Sequence, residues 1–458
     1  MNHKINRVDL LRLTILLLFL TVCMSCFVFS QPFGDGPDEI NRYKVVSYIA
    51  QNGTIPRGDE PTIIIDGYGA SYAFQPILTY MLEGFLLHLL SPLNLAFEIQ
   101  LIIARYVNVL FGLIAAVYTY KLSNTLFSDR KTAYLFTLGV TLLPQNIFVY
   151  TYVNTDGMAL MSCTMIMYAL VKGFTDDFSR ESIITLTIGV VCCLLSYYNC
   201  YSFILVAVAS FILYYLVCNP NSKKDLWKKF GIVAGLTFIF AGWWFIRNII
   251  LYNGDFLALK ARSTCAQATG NWYFLEQMAE TYKAQGYSVF EMVFRTDYYT
   301  LVWKSFIGMF GPMLIPTSHH LYMAYKYLTV ICLIGYPAGL LCKAKSEVFP
   351  NQPAFGRSIL ITGMTVISII TIIINIIYSY SWDFQPQGRY YLPMLLPLAF
   401  LLTEGLERLL KLAMSPIATK FKDKSSLPIA FVYHLFYMFF FGSAALSILI
   451  MLKYYAVI

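Results

Sequence analysis

The sequence predicts an all-α, polytopic helical membrane protein that forms a single domain over residues 1–458. Composition is the first reason: 58% of the residues are hydrophobic, only 13% are charged, and the mean hydropathy is +0.61. The second reason is that apolar segments recur along the chain, each about as long as the roughly 20 residues that a membrane-spanning helix needs. Together these properties exclude an ordinary soluble domain.

About eleven apolar segments have a suitable length. They lie near residues 8–30, 98–125, 132–152, 156–173, 183–200, 202–218, 230–250, 320–342, 358–380, 391–413 and 428–453. The first begins with Lys4 and Arg7, as a signal peptide does, but its apolar run is long and lacks a small-residue cleavage pattern. It is therefore predicted to be a retained first helix.

The placement of Lys and Arg predicts the orientation in the membrane. Basic residues collect before the first segment and in alternate loops, at Lys4 and Arg7, Arg130 and Lys131, Lys223–Lys229, Lys343 and Lys345, and Lys411–Lys424. The positive-inside rule makes this side cytoplasmic, so the N-terminus is predicted inside and the C-terminus outside. Because the net charge of +8 lies in these short loops, it does not indicate a nucleic-acid partner.

The first external loop, residues 31–97, is too long to be a simple turn. A short amphipathic helix is predicted from Pro37 to Gln51, and an apolar helix at about Tyr72–Leu90; both are expected to lie at the membrane interface. If the second of these crossed the membrane, every later basic loop would change sides. An interfacial position is therefore the better prediction.

Two further external segments are predicted. Residues 253–319 are expected to contain a soluble helix that carries Glu276 and Glu280, followed by an aromatic stretch on the membrane surface. The third segment is the short polar loop Ser381–Tyr391. Polar chemistry is thus concentrated on the predicted outer side, and this is where we expect the functional site.

Asp38 and Glu39 are adjacent carboxylates just after the first apolar segment. Charge at the mouth of a membrane protein usually marks a pathway or a reaction centre. Neighbouring helical residues point about 100° apart, so the two carboxylates are expected to have different tasks. One is a candidate general base, and the other is a candidate partner for Arg42. The alternative is a helix start, which Pro37 followed by acidic residues also predicts.

Three arginines lie near predicted outer helix ends: Arg105, Arg247 and Arg389. The planar guanidinium group of Arg suits phosphate, because it makes paired, charge-assisted hydrogen bonds. The alternative is that these side chains anchor helix ends at the lipid headgroups. For Arg389 the binding role is favoured, since Asp383 and Gln387, candidates to orient the acceptor or the sugar, lie in the same polar run.

Two other features of the outer side provide candidate site residues. Gly388 is expected to let the backbone approach a ligand closely. Asn154 and Asp156 precede the fourth apolar segment, where they are candidates to orient an acceptor or to bind a divalent cation through oxygen ligands. Helix capping is an equally good interpretation of Asn154 and Asp156.

Several chemistries have no support in the sequence. There is no Walker loop and no convincing nucleotide-binding fingerprint. The pair His319 and His320 is a weak metal candidate because adjacent helical residues do not share a face. No run of ionisable residues crosses the middle of the apolar segments, which disfavours an ion-coupled transporter.

Four motifs occur in one order along the chain: the acidic pair at Asp38, the Trp243–Asn248 run WWFIRN, the Lys304–Gly311 run KSFIGMFG, and the Gln387–Pro393 run QGRYYLP. With the Asn/Asp turn at 154–156, this ordered set resembles the GT-C superfamily of integral-membrane glycosyltransferases. It is most similar to bacterial members related to the protein O-mannosyltransferases and the lipid A aminoarabinose transferases.

The resemblance implies an inverting hexosyl- or pentosyltransferase that works on the outer face of the cytoplasmic membrane. Its donor would be a sugar linked to polyprenyl phosphate, and its acceptor a cell-envelope glycan or lipid. The base would be Asp38, with Glu39 second, and the lipid phosphate would be bound by Arg389, with Arg247 and Arg105 as further candidates. Donors of this kind often need no metal, so no cofactor is predicted.

Another function remains open from the sequence. A lipid-linked glycan polymerase or flippase would also carry external arginines and long external loops. A flippase, however, needs polar residues along a path through the whole bilayer, whereas polarity in this chain is concentrated on one side. The transferase is therefore favoured, although a fold resemblance does not by itself establish activity.

Overall fold

The computed structural model describes residues 7–269, 280–342, 348–350, 352–420 and 426–457. These residues are predominantly helical, which confirms the predicted all-α membrane class. Their only paired strands are Met309–Phe310 and Ile315–Pro316, two residues each and antiparallel. The predicted helix around Glu276 falls mostly outside the described residues, as do Lys343 and Lys345.

Seventeen α-helices are defined among the described residues, numbered in chain order. They are α1 Arg7–Ser30, α2 Glu39–Asn52, α3 Leu78–Leu89, α4 Phe97–Leu126, α5 Arg130–Thr141, α6 Pro144–Val149, α7 Asp156–Asp176, α8 Arg180–Leu194, α9 Tyr201–Leu213, α10 Lys223–Leu251, α11 Leu259–Ala268, α12 Val289–Arg295, α13 Tyr298–Gly308, α14 His319–Leu341, α15 Ala354–Ser381, α16 Leu395–Lys420 and α17 Ser426–Val457. Short 3₁₀ turns that matter below are Tyr72–Phe74 and Gly388–Met394.

Eight described helical segments are long and apolar enough to cross a membrane. They correspond to the predicted spans except for the three near 132–152, 183–200 and 391–413. The first of these three is divided into α5 and α6, with Pro144 beginning the second helix. The second is the 15-residue helix α8. The third begins as a 3₁₀ turn and continues as α16, which carries charged residues in its second half.

The segment between α1 and α4, the start of α7 and the turn Gly388–Met394 meet at one end of the bundle, which we call the polar end. The two helices predicted in the first external loop are present there as α2 and α3. At 1.5 Å per residue, the 12 residues of α3 extend only about 18 Å, well short of the roughly 30 Å hydrocarbon core. This length agrees with a helix at the interface.

Helix α7 lies at the centre of the bundle and is buried along almost its whole length. It packs against α4 and α8, and its first residue, Asp156, lies at the polar end. The central helix thus presents a carboxylate to the loops of the polar end.

Glycines allow close approach between two other helices: a Cβ on Gly335 of α14 would lie 2.4 Å from the carbonyl oxygen of Gly405 in α16.

Candidate functional site

Asp38 occupies the position before the first residue of α2, as the helix-start interpretation predicts. Its side chain makes no capping hydrogen bond, however, and its backbone adopts the left-handed conformation with φ 61° and ψ 11°. A residue with a Cβ rarely adopts this conformation, and such strain concentrates at functional sites. The Asp38 carboxylate therefore does not cap the helix that it precedes.

The Asp38 carboxylate contacts two arginines. Its Oδ2 lies 3.1 Å from Nη2 of Arg389 and 3.7 Å from Nη2 of Arg42. Both arginine side chains are 4% exposed, whereas the Asp38 side chain is 40% exposed. Burial opposes ionisation of Asp38, but the two guanidinium groups outweigh it and hold the pKa of Asp38 below its ordinary value.

Arg42 joins this pair to the central helix. Its Nη1 donates to Oδ2 of Asp156 at 3.2 Å, and its guanidinium lies 5.1 Å from the centre of the Tyr72 ring. Arg389 lies 4.8 Å from the ring of Tyr390 and donates to its hydroxyl. We call Asp38, Arg42, Asp156 and Arg389, with the two tyrosines, the Asp38 cluster. The α2 segment, the start of α7 and the Gly388–Met394 turn meet in it.

The cluster has buried hydrogen-bond donors without acceptors. Nε and Nη1 of Arg389 and Nε of Arg42 are buried and have no partner among the described atoms. The hydroxyl of Tyr152 lies beside Arg389, and Tyr197 lies near the same charges. Unpaired guanidinium N–H groups are costly to bury and are suited to the oxygens of an anion. The arrangement is thus a partly exposed carboxylate beside two buried arginines that keep unpaired N–H donors.

Glu39 has a different environment from its neighbour. It is fully buried and accepts two hydrogen bonds from Arg105, from Nη2 at 2.6 Å and from Nε at 2.8 Å. The other N–H groups of Arg105 donate to the carbonyl oxygens of Val28, Gln31 and Pro32. All five donors of this guanidinium are therefore occupied.

Glu39 also accepts hydrogen bonds from the backbone N–H groups of Val153 and Gly34. One carboxylate thus connects α2, α4, the end of α1 and the loop before α7. This geometry favours a structural role for Glu39 and Arg105 over the catalytic and phosphate-binding roles expected from the sequence. It leaves Arg105 no N–H group for a phosphate.

The two polar residues of the Asn/Asp turn, Asn154 and Asp156, have different contacts. Asn154 accepts the N–H of Gly157 and donates to the carbonyl oxygens of Val149 and Tyr152, so it closes the turn before α7. Asp156 instead joins the cluster through Arg42. Capping therefore describes Asn154, and charge pairing describes Asp156.

The polar run before Arg389 is bonded mainly within itself. The Gln385 side chain donates to Asp383 and accepts from Gln387. Gly388 approaches protein backbone closely, rather than leaving room for a ligand as expected: a Cβ there would lie 2.0 Å from the backbone nitrogen of Phe306, and its N–H donates to the Ser305 hydroxyl. This contact with α13 fixes the turn that carries Arg389.

Arg247 lies in a separate place. It donates to the carbonyl oxygen of Pro56 at 2.7 Å and lies 5.0 Å from the Trp244 ring. Across the described contacts, none joins it to the Asp38 cluster. The described residues also contain no group of three or more His, Cys, Asp and Glu arranged to hold a metal ion.

Sequence reasoning did not assign binding roles to Arg42, Tyr72 or Tyr390. Arg42 had a local signal, because it lies four residues after Asp38 on a predicted helix and such pairs are neighbours. No local sequence pattern indicated Tyr72, because the 3₁₀ turn that brings it over Arg42 depends on packing between distant segments.

A protein-family model described as "Predicted membrane protein (DUF2142)" matches residues 89–398. That match covers more than half of the sequence. The chain belongs to this family. No curated protein sequence matches this DUF2142 protein.

Solved structures show the fold of this DUF2142 protein. The apo oligosaccharyltransferase of Archaeoglobus fulgidus has a TM-score of 0.55 at 13% identity, over 96% of this chain and 56% of that one. The same enzyme with zinc and sulfate gives 0.53 at 12%, over 95% and 53%. ArnT from Cupriavidus metallidurans, bound to undecaprenyl phosphate, gives 0.51 at 14%, over 97% and 76%.

These neighbours are GT-C glycosyltransferases, so the resemblance stated from the sequence is confirmed at the level of the fold. The DUF2142 chain spans about half of the length of the archaeal oligosaccharyltransferase that it matches. Another structure of that enzyme contains an inhibitory peptide and a dolichol-phosphate.

Proposed function

We propose that this DUF2142 protein transfers a sugar from a polyprenyl-phosphate donor to a cell-envelope glycan or lipid. The observation that carries the proposal is the Asp38 cluster, in which a partly exposed carboxylate lies between two buried arginines with unpaired donors. The fold adds support, because it is shared with ArnT, whose structure holds undecaprenyl phosphate. In this proposal the cluster lies at the outer face of the cytoplasmic membrane, the side that the positive-inside rule predicts for it.

The proposed reaction is a single displacement at the anomeric carbon. Arg389 and Arg42 bind the lipid phosphate, and the acceptor hydroxyl gives its proton to the Asp38 carboxylate. The acceptor oxygen then bonds to the anomeric carbon while the bond from that carbon to the phosphate oxygen breaks. The electron pair remains on the lipid phosphate, where the guanidinium groups stabilise it. One displacement inverts the anomeric centre.

Donor binding has a consequence for the base. Without donor, the two arginines hold the pKa of Asp38 low, so that the carboxylate is a weak base. A bound phosphate brings negative charge to the same guanidinium groups and offsets their effect on Asp38. The proposed order is therefore donor first, with Asp38 becoming a stronger base in the donor complex. The guanidinium groups supply positive charge at the phosphate.

An apolar groove offers a place for the polyprenyl chain. It lies between α8, α9 and α10, has a volume of about 350 Å³, and is lined by residues such as Leu194, Phe211 and Phe245. Leu194 ends α8 shortly before Tyr197, which lies near the charges of the Asp38 cluster. A lipid tail in this groove would thus lead to a phosphate at the arginines.

The experiment compares envelope glycans by mass spectrometry in cells with the wild type, with Asp38→Asn, or with no copy of the gene. Loss of one sugar substituent in both altered strains is the expected result. If Asp38→Asn matches the wild type while the deletion strain loses whole polymers, the polymerase or flippase interpretation replaces the transferase.

A further inference from the structure

A second concave site lies at the polar end, outside the Asp38 cluster. This groove has a volume of about 780 Å³ and is formed by the end of α10, by helix α11 and by the loop at residues 57–59 with Phe74. Its floor is the turn from Tyr252 to Asp255. We propose that it binds a carbohydrate portion of the acceptor, an inference that rests on the function proposed above.

The chemistry of the walls selects this ligand class. Arg57 and Asp59 pair at 3.2 Å and remain about half exposed, at 51% and 44%, on one wall. Lys260 and Asp255 also line the groove. Two positive and two negative side chains disfavour a polyanion, and all four disfavour an apolar chain. Sugar hydroxyls both donate and accept hydrogen bonds, so they fit a surface that offers both.

Hydrogen bonds and a ring contact hold the groove residues in place without a ligand. The Tyr252 hydroxyl accepts the N–H of Gly58 at 3.1 Å, and its ring packs against Phe74 with 5.4 Å between centres. Oδ2 of Asp255 accepts the N–H of Ala261 at 2.9 Å, which fixes the carboxylate against the first turn of α11. Preorganised polar groups reduce the cost of ordering side chains on binding.

The 3₁₀ turn Tyr72–Phe74 joins the groove to the Asp38 cluster. Phe74 lines the groove, whereas Tyr72 stacks on Arg42 and interacts with the Asp38 carboxylate. A glycan in the groove would therefore continue past this turn toward the proposed base. A peptide is less suitable, because extended peptides commonly pair with a strand edge and no strand lines this groove among the described residues.

The test uses the double variant Asp59→Ala with Lys260→Ala, two exposed substitutions with small expected effects on stability. Arg295→Ala is the control, since it also breaks an exposed ion pair, with Glu291, outside the groove. The double variant is expected to lower the envelope glycan product at least about tenfold, the effect of losing hydrogen bonds to charged groups. Undecaprenyl phosphate binding by the purified protein should stay within about twofold of the wild type, and Arg295→Ala should change neither quantity.

The outcomes separate two failures. If Asp38→Asn also leaves the glycans unchanged, the proposed function is wrong. If Asp38→Asn removes the product while the double variant retains it, the groove does not bind the acceptor. A change confined to protein-attached glycans, with polysaccharides and lipids intact, would replace the carbohydrate ligand with a peptide.

Cys265 provides a second measurement, because it lines the groove and is partly exposed. A membrane-impermeant maleimide linked to polyethylene glycol should label Cys265 in the full-length protein and block the groove. The treated-to-untreated product ratio should fall for the wild type and stay at one for Cys265→Ser. Complete labelling of Cys265 with an unchanged ratio would overturn the proposal.

Discussion

Two neighbouring carboxylates, Asp38 and Glu39, each pair with arginine, and the two pairs differ in how completely they are satisfied. Glu39 and Arg105 are buried, and every N–H of Arg105 has an acceptor. Asp38 is 40% exposed, and two buried nitrogen atoms of its partner Arg389, Nε and Nη1, have no acceptors. A saturated ion pair holds segments together, whereas an unsaturated pair open to solvent retains capacity for a ligand. Burial and partner count thus distinguish the two carboxylates, although they are adjacent in sequence.

The largest effect is expected from breaking the saturated pair. Arg105→Ala leaves Glu39 buried without its counter-charge, and such losses cost about 3–5 kcal/mol. We expect a large fall in the thermal midpoint of the detergent-purified protein, measured by intrinsic fluorescence. Asp38→Asn is the matched comparison; it keeps an oxygen acceptor for Arg389 at a position that is 40% exposed, so its midpoint should fall clearly less than that of Arg105→Ala. Equal destabilisation by the two variants would remove the distinction between the pairs.

Arg389→Ala should weaken binding of undecaprenyl phosphate by about 10- to 100-fold, because it removes charge-assisted hydrogen bonds to the phosphate. Arg247→Ala is the control, since Arg247 bonds to Pro56 and has no described contact with the cluster. Binding to the reconstituted protein measures both variants. If Arg247→Ala has the larger effect, the phosphate site lies at Arg247 instead.

The fold was largely predictable from the sequence, because local hydropathy identifies membrane-spanning segments. Helices α2 and α3 were also predictable, α2 from an amphipathic run and α3 from an apolar run. The sequence also predicted that the Asp38 and Arg389 regions lie on one side of the membrane, which is compatible with their contact. Their 3.1 Å separation depends on tertiary packing, including the fit of Gly388 against α13.

The division of work among the charged residues was less predictable. Local sequence does not show that Arg105 spends all five donors inside the protein, because three of its acceptors are carbonyl oxygens at the end of a distant helix. Likewise, the capping of Asn154 and the charge pairing of Asp156 are separated only by the position of Arg42. Residue types predicted which residues were candidates for the site, and burial distinguished the roles of these candidates.

The smallest effect concerns pH. The pKa of Asp38 is lowered in the folded protein, so its ionised form contributes stability above the ordinary aspartate pKa of about 3.9 and loses that contribution as the pH falls through the folded value. The thermal midpoint of the wild type should therefore fall more steeply than that of Asp38→Asn below about pH 4. Because the Asp38 side chain is 40% exposed, the difference should be small. Parallel curves would show that Asp38 gains no stabilisation from the arginines.

The most direct test of the Asp38 cluster as a transfer site separates donor binding from turnover. Purified wild type and Asp38→Asn, reconstituted in vesicles, are compared for undecaprenyl phosphate binding and for release of that lipid from polyprenyl-phosphate sugars extracted from host membranes. Asp38→Asn is predicted to bind within about threefold of the wild type and to release at least about 100-fold less, as loss of a general base implies. Release at the wild-type rate by Asp38→Asn would contradict the assignment of Asp38 as the base.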